Sequence, residues 1–243
     1  MASRFTIEVV TSSVQSSMNA QAGGAGRIEL CSALGVAGVT PSGGLLAEVV
    51  ANVSLPVYCM IRPREGDFVY SSSEFSVMKR DIQMAKDLGA TGIVLGILNP
   101  KAEVDVKRTT ELVRLAHPLP VTFHRAFDIV PHLEHALDSI IECGCWCVLT
   151  SGGMASGPEG AAKLHELAEQ AIGRIEIMPG GGITSESITA VMHKNISNYH
   201  LSGRVPMHSA LHTKLFEMDY AETSEEVIAA THRQLHAFFE GKN

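Results

Sequence analysis

Five charged or titratable residues fall inside short apolar runs that read as strands: Glu8, Arg27, Glu29, Arg62 and His124. Side chains alternate between the two faces of a strand. In Arg27–Cys31, Ile28 and Leu30 share one face, and Arg27, Glu29 and Cys31 share the other. By the same parity Glu8 groups with Thr6 and Val10, His124 with Thr122, and Arg62 with Tyr58 and Met60. Burying an unpaired charge is costly, so these groups must pair with one another or meet ligand and water. Two glutamates and a histidine suit proton transfer near neutral pH, and the arginines suit a carboxylate or phosphate. The bland alternative is a self-satisfied ion-pair network inside the fold.

The segments that follow the strands add to this set. Arg62-Pro63-Arg64 reads as a stiff cationic clamp. In His124-Arg125-Ala126-Phe127-Asp128, the carboxylate of Asp128 would orient His124 or pair with Arg125. Thr150-Ser151-Gly152-Gly153, Pro179-Gly180-Gly181-Gly182 and His200-Leu201-Ser202-Gly203-Arg204 carry glycines and hydroxyls that can present N–H and O–H groups to an anion, or merely make tight turns. The catalytic candidates are therefore Glu8, Glu29, His124 and Asp128. The candidates for holding a small anionic ligand are Arg27, Arg62, Arg64, Ser151, Gly181, Gly182 and Ser202.

Positioning these groups together requires alternating strands and helices. Strands are predicted at Phe5–Val10, Arg27–Leu30, Pro56–Ile61, Gly92–Leu95, Pro120–His124, Trp146–Thr150, Arg174–Met178 and Asn198–Leu201. Helices are predicted at Val14–Ala22, Gly44–Asn52, Glu74–Leu88, Asp105–Ala116, Leu133–Glu142, Gly160–Ala171 and Ser185–His193. Asp105 and Thr184 stand at N-cap positions, as do Ser72 or Ser73. The pattern predicts parallel strands joined by crossover helices, an α/β fold of the (β/α)8 TIM-barrel type, with the site at the C-terminal ends of the strands. An open doubly wound sheet is the rival, and no Gly-x-Gly-x-x-Gly follows the first strand. One domain is expected over 1–243, its tail 204–243 being a loop and a final helix near Glu225–Phe239.

The chain has 243 residues, 45% of them hydrophobic, and a formal net charge of −7. That balance argues against a nucleic-acid or anionic-membrane partner. The N-terminus lacks the apolar core of a signal peptide, so a cytoplasmic location with five reduced cysteines is expected. Cys31 is the one thiol with inward parity beside charged groups and is the metal-ligand candidate. The Cys143-Gly144-Cys145-Trp146-Cys147 string is read as ordinary burial, and the pairs His132/His135 and His232/His236 as surface residues.

Seven ordered strings resemble the CutC family, named for copper homeostasis. They are Arg27-Ile-Glu-Leu-Cys31, Thr40-Pro-Ser-Gly43, Met60-Ile-Arg-Pro-Arg64, Gly66-Asp-Phe68 with Tyr70, Thr122-Phe-His-Arg-Ala-Phe-Asp128, Leu149-Thr-Ser-Gly152 and Met178-Pro-Gly-Gly-Gly182. The likeness runs from about residue 5 to about residue 204. It implies a TIM barrel, a homo-oligomer (dimer or tetramer) and a role in copper handling with Cu+ as the bound metal. The family's candidate copper thiols follow Glu-Val in the first strand and Glu-Leu in the second. Here the second is Cys31, the first position is Val10, and Cys147 stands where many relatives carry arginine. Three readings follow: Cu(I) handling through Cys31, acid/base catalysis on a small phosphorylated or carboxylated metabolite, and a barrel that acts only as an interaction platform.

Overall fold

The computed structural model describes residues 4–209 and 219–241. Eight strands, β1 (Thr6–Thr11), β2 (Arg27–Leu30), β3 (Val57–Met60), β4 (Gly92–Leu95), β5 (Val121–Phe123), β6 (Cys147–Thr150), β7 (Glu176–Pro179) and β8 (Asn198–Leu201), run parallel in the order β7-β6-β5-β4-β3-β2-β1-β8. The ring is nearly closed. Across the β7–β8 seam, Ser197 Oγ and Asn198 Nδ2 donate to Glu176 Oε2 at 2.9 and 3.1 Å. The fold is the (β/α)8 barrel that the alternation predicted.

Period-two alternation sorts the strands into two sets of contacts. Ile7, Val9, Ile28, Leu30, Cys59, Ile61, Ile93 and Tyr199 pack against the helices in the main apolar cluster. Val10, Cys31, Tyr58, Met60 and Val94 form a separate cluster on the inner face, and Cys147, Leu149 and Met178 form another. The outer helices are α1 (Val14–Ala22), α2 (Gly43–Asn52), α3 (Ser72–Asp87), α4 (Val106–Ala116), α5 (Leu133–Glu142), α6 (Ala161–Gln170) and α7 (Glu225–Phe239). Helix α3 starts with a capping box between Ser71 and Glu74 and buries Phe75, Met78, Ile82 and Ala85 at helical spacing. Asp105 caps α4, accepting from the Arg108 N–H at 3.0 Å. Among the described residues no helix is long and apolar enough to cross a membrane.

Four expectations are corrected. The stretch Ser185–His193 is not an α-helix; only Ile188–Val191 forms a 3₁₀ turn. The hydroxyls of Thr184 and Ser187 bond the local backbone in competition with a helical ladder, and Ile188, Thr189 and Val191 are β-branched. The seventh strand is Glu176–Pro179, two residues later at its start than predicted. Pro56 and Pro120 stand just before their strands, although their carbonyls still accept from Ile28 N–H at 2.9 Å and Ile93 N–H at 3.0 Å. In the tail, β9 (Arg204–Met207) and β10 (Tyr220–Thr223) pair antiparallel, and β10 packs on α1 through Asn19 and Ser16. The rest of the segment expected to be a loop, 210–218, lies outside the described residues.

Strand β4 turns only Gly92 and Val94 inward. A Cβ on Gly92 would lie 2.4 Å from the Tyr58 ring. Gly92→Ala is therefore expected to destabilise by about 1–3 kcal/mol through overpacking. Urea unfolding of the variant, showing a lower midpoint at unchanged slope, checks this.

Candidate functional site

The barrel interior holds a chain of ionic contacts on three adjacent strands. Arg27 on β2 donates from Nε to Glu8 Oε2 on β1 at 2.6 Å and from Nη2 to Asn198 Oδ1 on β8 at 3.0 Å. Its guanidinium also lies over the Tyr58 ring at 4.7 Å and over Trp146 at 5.0 Å. The second oxygen of Glu8 meets His200 Nδ1 at 2.8 Å, so a proton on that nitrogen faces the carboxylate. Glu29 Oε2 lies 4.0 Å from the same nitrogen. Glu8 and Glu29 are 0% and 2% exposed, and Glu29 Oε2 has no hydrogen-bond partner among the described residues.

This arrangement splits the behaviour of the two carboxyls. Burial opposes ionisation of Glu8, but the charge of Arg27 and the bond from His200 outweigh it and hold Glu8 below its ordinary value. Burial, with the charge of Glu8 added, pushes Glu29 up to about 7. Burial disfavours the imidazolium of His200, yet Glu29 and the bond to Glu8 lift its pKa above the ordinary value. A carboxyl raised to about 7 and an imidazole that favours its protonated form thus stand side by side.

A cavity of about 260 Å³ opens above them at the C-terminal ends of the strands. Its walls include Glu29, Arg62, His124, Gly181, Gly182 and Ser202 from the predicted set, together with Arg125 and His200. Glu8 and Arg27 lie beneath this floor. The Arg62/Arg64 clamp does not form. Arg62 donates to the carbonyls of Val36, Gly38 and Gly66 at 2.7, 2.7 and 2.9 Å, stapling loops together. Arg64 turns to Glu74 at 2.6 Å and Asp67 at 2.9 Å, outside the cavity.

Asp128 does not orient His124. It pairs with Arg125 at 2.7 Å and accepts from Thr150 Oγ1 at 2.5 Å and Ser151 N–H at 2.9 Å. Ser151 in turn accepts from Arg125 Nη2 at 2.7 Å, so both residues brace Arg125 from behind. That guanidinium sits against Gly181, where a Cβ would come within 2.8 Å of it and where φ is +84°. The N–H groups of Gly181, Gly182 and Ile183 have no hydrogen-bond partner among the described residues. Arg125, three open amides and the Ser202 hydroxyl make a concave donor surface for an anion.

His124 is buried with the ring against Phe68, centroids 5.0 Å apart. Burial, with the Arg62 cation beside it, depresses its pKa to about 3, so it is neutral near pH 7 and is not the acid/base group expected of it. The histidine–carboxylate pair of the site is His200–Glu8. Strand parity places Asn198, His200 and Ser202 on one face, a signal available in the sequence. The role of Arg125 was not, because only the fold shows whether Asp128 turns towards His124 or Arg125.

Comparison with known proteins agrees with the motifs. The CutC family model matches residues 5–205. The chain belongs to the CutC family. A copper homeostasis protein cutC homolog of Mus musculus is 48% identical over 201 residues, covering 82% of this chain and 74% of the mouse protein. The Homo sapiens homolog is 47% identical over 204 residues, covering 84% and 75%. The crystal structure of CutC from Streptococcus agalactiae superposes with a TM-score of 0.76 at 31% identity, covering 81% of this chain and 97% of that one.

The family name raises the question of whether the residues here suit copper. Cu(I) favours thiolate and thioether ligands. Cys31 is fully buried, its Sγ lies 3.8 Å from the Thr11 carbonyl, and burial, with Glu29 nearby, raises the thiol well above its ordinary value. Val10 packs in the same inner cluster, where a second thiol would have to stand. Cys147, the other inward thiol, is likewise raised by burial. Glu8, Glu29 and His200 bring ligand atoms within 4.8 Å of one another. That set is oxygen-rich, and both oxygens of Glu8 are already engaged by Arg27 and His200. The donors do not fit a two-thiolate Cu(I) centre.

The raised pKa of Glu29 has a consequence for stability. A carboxyl whose folded value lies above its unfolded one stabilises the fold at low pH, and that contribution disappears as pH rises through the folded value. For Glu29 the window runs from about 4.5 to about 7 and amounts to at most about 3 kcal/mol. Urea unfolding at pH 5 and pH 8 is expected to show this loss in the native protein and a smaller one in Glu29→Gln.

Proposed function

We propose that this CutC-family barrel is an enzyme that moves protons on a small phosphorylated or carboxylated metabolite. The observation that carries the reading is Glu29, whose buried Oε2 has no hydrogen-bond partner among the described residues, beside the Glu8–His200 pair and on the wall of a cavity. A merely structural carboxyl at that depth would be paired. Its raised pKa lets it both take and return a proton near neutrality. His200, oriented by Glu8, serves as its partner, and Arg27 holds Glu8 ionised from below. Arg125 with Gly181, Gly182, Ile183 and Ser202 binds the anionic group at the other side of the cavity. None of the eight barrel strands contains a lysine, so the chemistry assigned here is acid/base rather than Schiff-base.

A thermal-shift screen against small phosphorylated and carboxylated metabolites tests the reading. At least one is expected to raise the Tm of the native protein, and Gly181→Val, which fills the space against Arg125, is expected to abolish that rise. A screen in which no compound of either class stabilises the protein overturns it. Cu(I) handling is the reading that the family name supports. In this chain it rests on Cys31 and on Met60, which both border Gly38. Stoichiometric Cu(I) uptake in a competition titration, lost in Cys31→Ser, would establish it.

A further inference from the structure

The proposed function leaves one group of the cavity without a task. His124 follows β5, the strand opposite β1 in the ring of eight, so it faces the Glu8–His200–Glu29 group across the barrel. Its Nδ1 accepts the Ala126 N–H at 3.1 Å. A nitrogen that accepts carries no proton, so the neutral ring bears its hydrogen on Nε2. That Nε2 is buried and has no hydrogen-bond partner among the described residues. The ring is held from three sides: by the Ala126 amide, by Phe68, and by Gly96, where a Cβ would lie 2.5 Å from Cε1 and Nδ1. The fold thus leaves room at residue 96 to seat an imidazole whose donor goes unused. An orphaned donor at this depth calls for an acceptor.

We propose that the substrate is an anionic carbonyl compound, and that His124 is a catalytic residue donating a hydrogen bond from Nε2 to its carbonyl oxygen while Glu29 removes a proton from the adjacent carbon. This rests on the acid/base reading above and names its substrate class. In the step, the C–H bond breaks and its proton goes to the Glu29 carboxylate. The C–H electron pair becomes a C=C bond, and the carbonyl π pair moves to oxygen. His124 keeps its proton and stabilises the oxyanion by hydrogen bonding, with the Arg62 cation beside the ring. Where the carbon that loses its proton carries a hydroxyl, return of the proton from Glu29 to the former carbonyl carbon, as that hydroxyl's proton passes to the enolate oxygen, completes an isomerisation that needs no oxidant, reductant or second substrate. The low basicity of the buried imidazole suits this task, because a neutral donor does not lose its proton to the enolate as readily as an imidazolium would.

Two measurements decide it. In the native chain, ¹⁵N NMR of the histidines should show the His124 ring neutral, with Nε2 protonated, from pH 5 to 8. Binding of 2-phosphoglycolate, whose carboxylate mimics a planar enediolate, is then compared with inorganic phosphate. His124→Ala is expected to weaken phosphoglycolate by about tenfold or more, and to leave phosphate within about twofold, with His124→Gln recovering part of the loss. If phosphate and phosphoglycolate bind and neither variant alters the difference, or if His124 is protonated at Nδ1, this inference falls while the anion-binding enzyme stands. If the native protein binds neither anion, both fall.

Discussion

The buried contact between Glu8 and Arg27 orders the whole interior. Joining the two inward charges at 2.6 Å on neighbouring strands, it keeps Glu8 ionised where water cannot reach it. The ionised carboxylate favours a proton on His200 Nδ1, and its negative field discourages ionisation of Glu29. One ion pair therefore sets the proton occupancy of two groups at the cavity floor. Such a pair is not a source of stability in itself, since desolvation offsets much of its attraction. Arg27 is sheltered further by the Tyr58 and Trp146 faces and by Asn198, which replace the water that a guanidinium loses. Charges placed at such expense inside a barrel that could have been filled with valine and isoleucine point to use rather than to folding.

The surrounding barrel accommodates this polar column by sorting its apolar residues. Outward side chains make the continuous core with the helices, and inward ones break into two smaller clusters around the charges. Space for the large rings comes from Gly92 in β4 and from Gly96 just after it, which give way to Tyr58 and His124. The loops are fixed by Arg62, whose bonds to three carbonyls tie the segment after β2 to the one after β3. Its charge then serves the cavity without a carboxylate partner among the described residues.

Strand parity alone carried much of this picture. Ile28 and Leu30 could only face helices, so Arg27 and Glu29 had to face the axis, and the same count applied to Glu8 and His124. What parity does not give is the partner. Arg62-Pro63-Arg64 reads as a clamp, yet Arg62 turns to the carbonyls of Val36, Gly38 and Gly66, and Arg64 to Asp67 and Glu74. Asp128 is three residues from Arg125 and four from His124, and only the turn of Arg125–Ile129 decides between them. The 3₁₀ segment Ile188–Val191 had helical apolar spacing, but hydroxyls at 184 and 187 redirect its backbone. The short strands β9 and β10 lack the length for a visible alternation.

Ring topology explains why the site divides as it does. Glu8, Glu29 and His200 belong to β1, β2 and β8, three consecutive staves, so their ionic contacts form through the parallel registers Glu8–Arg27 and Glu8–His200. His124 follows β5, three staves from both β2 and β8, too far around the ring for the registers to draw it into that network. It is left neutral and capped by its own turn, on the far side of the same cavity. In the proposed reaction, the groups that exchange protons are thereby kept together, and the group that holds its proton is kept apart from them. In that proposed reaction a ligand lying across the mouth would meet both, with its anionic end at the amides after β7, next to β8 in the ring. The separation follows from strand order alone, and any substitution that brought a carboxylate next to His124 would undo it.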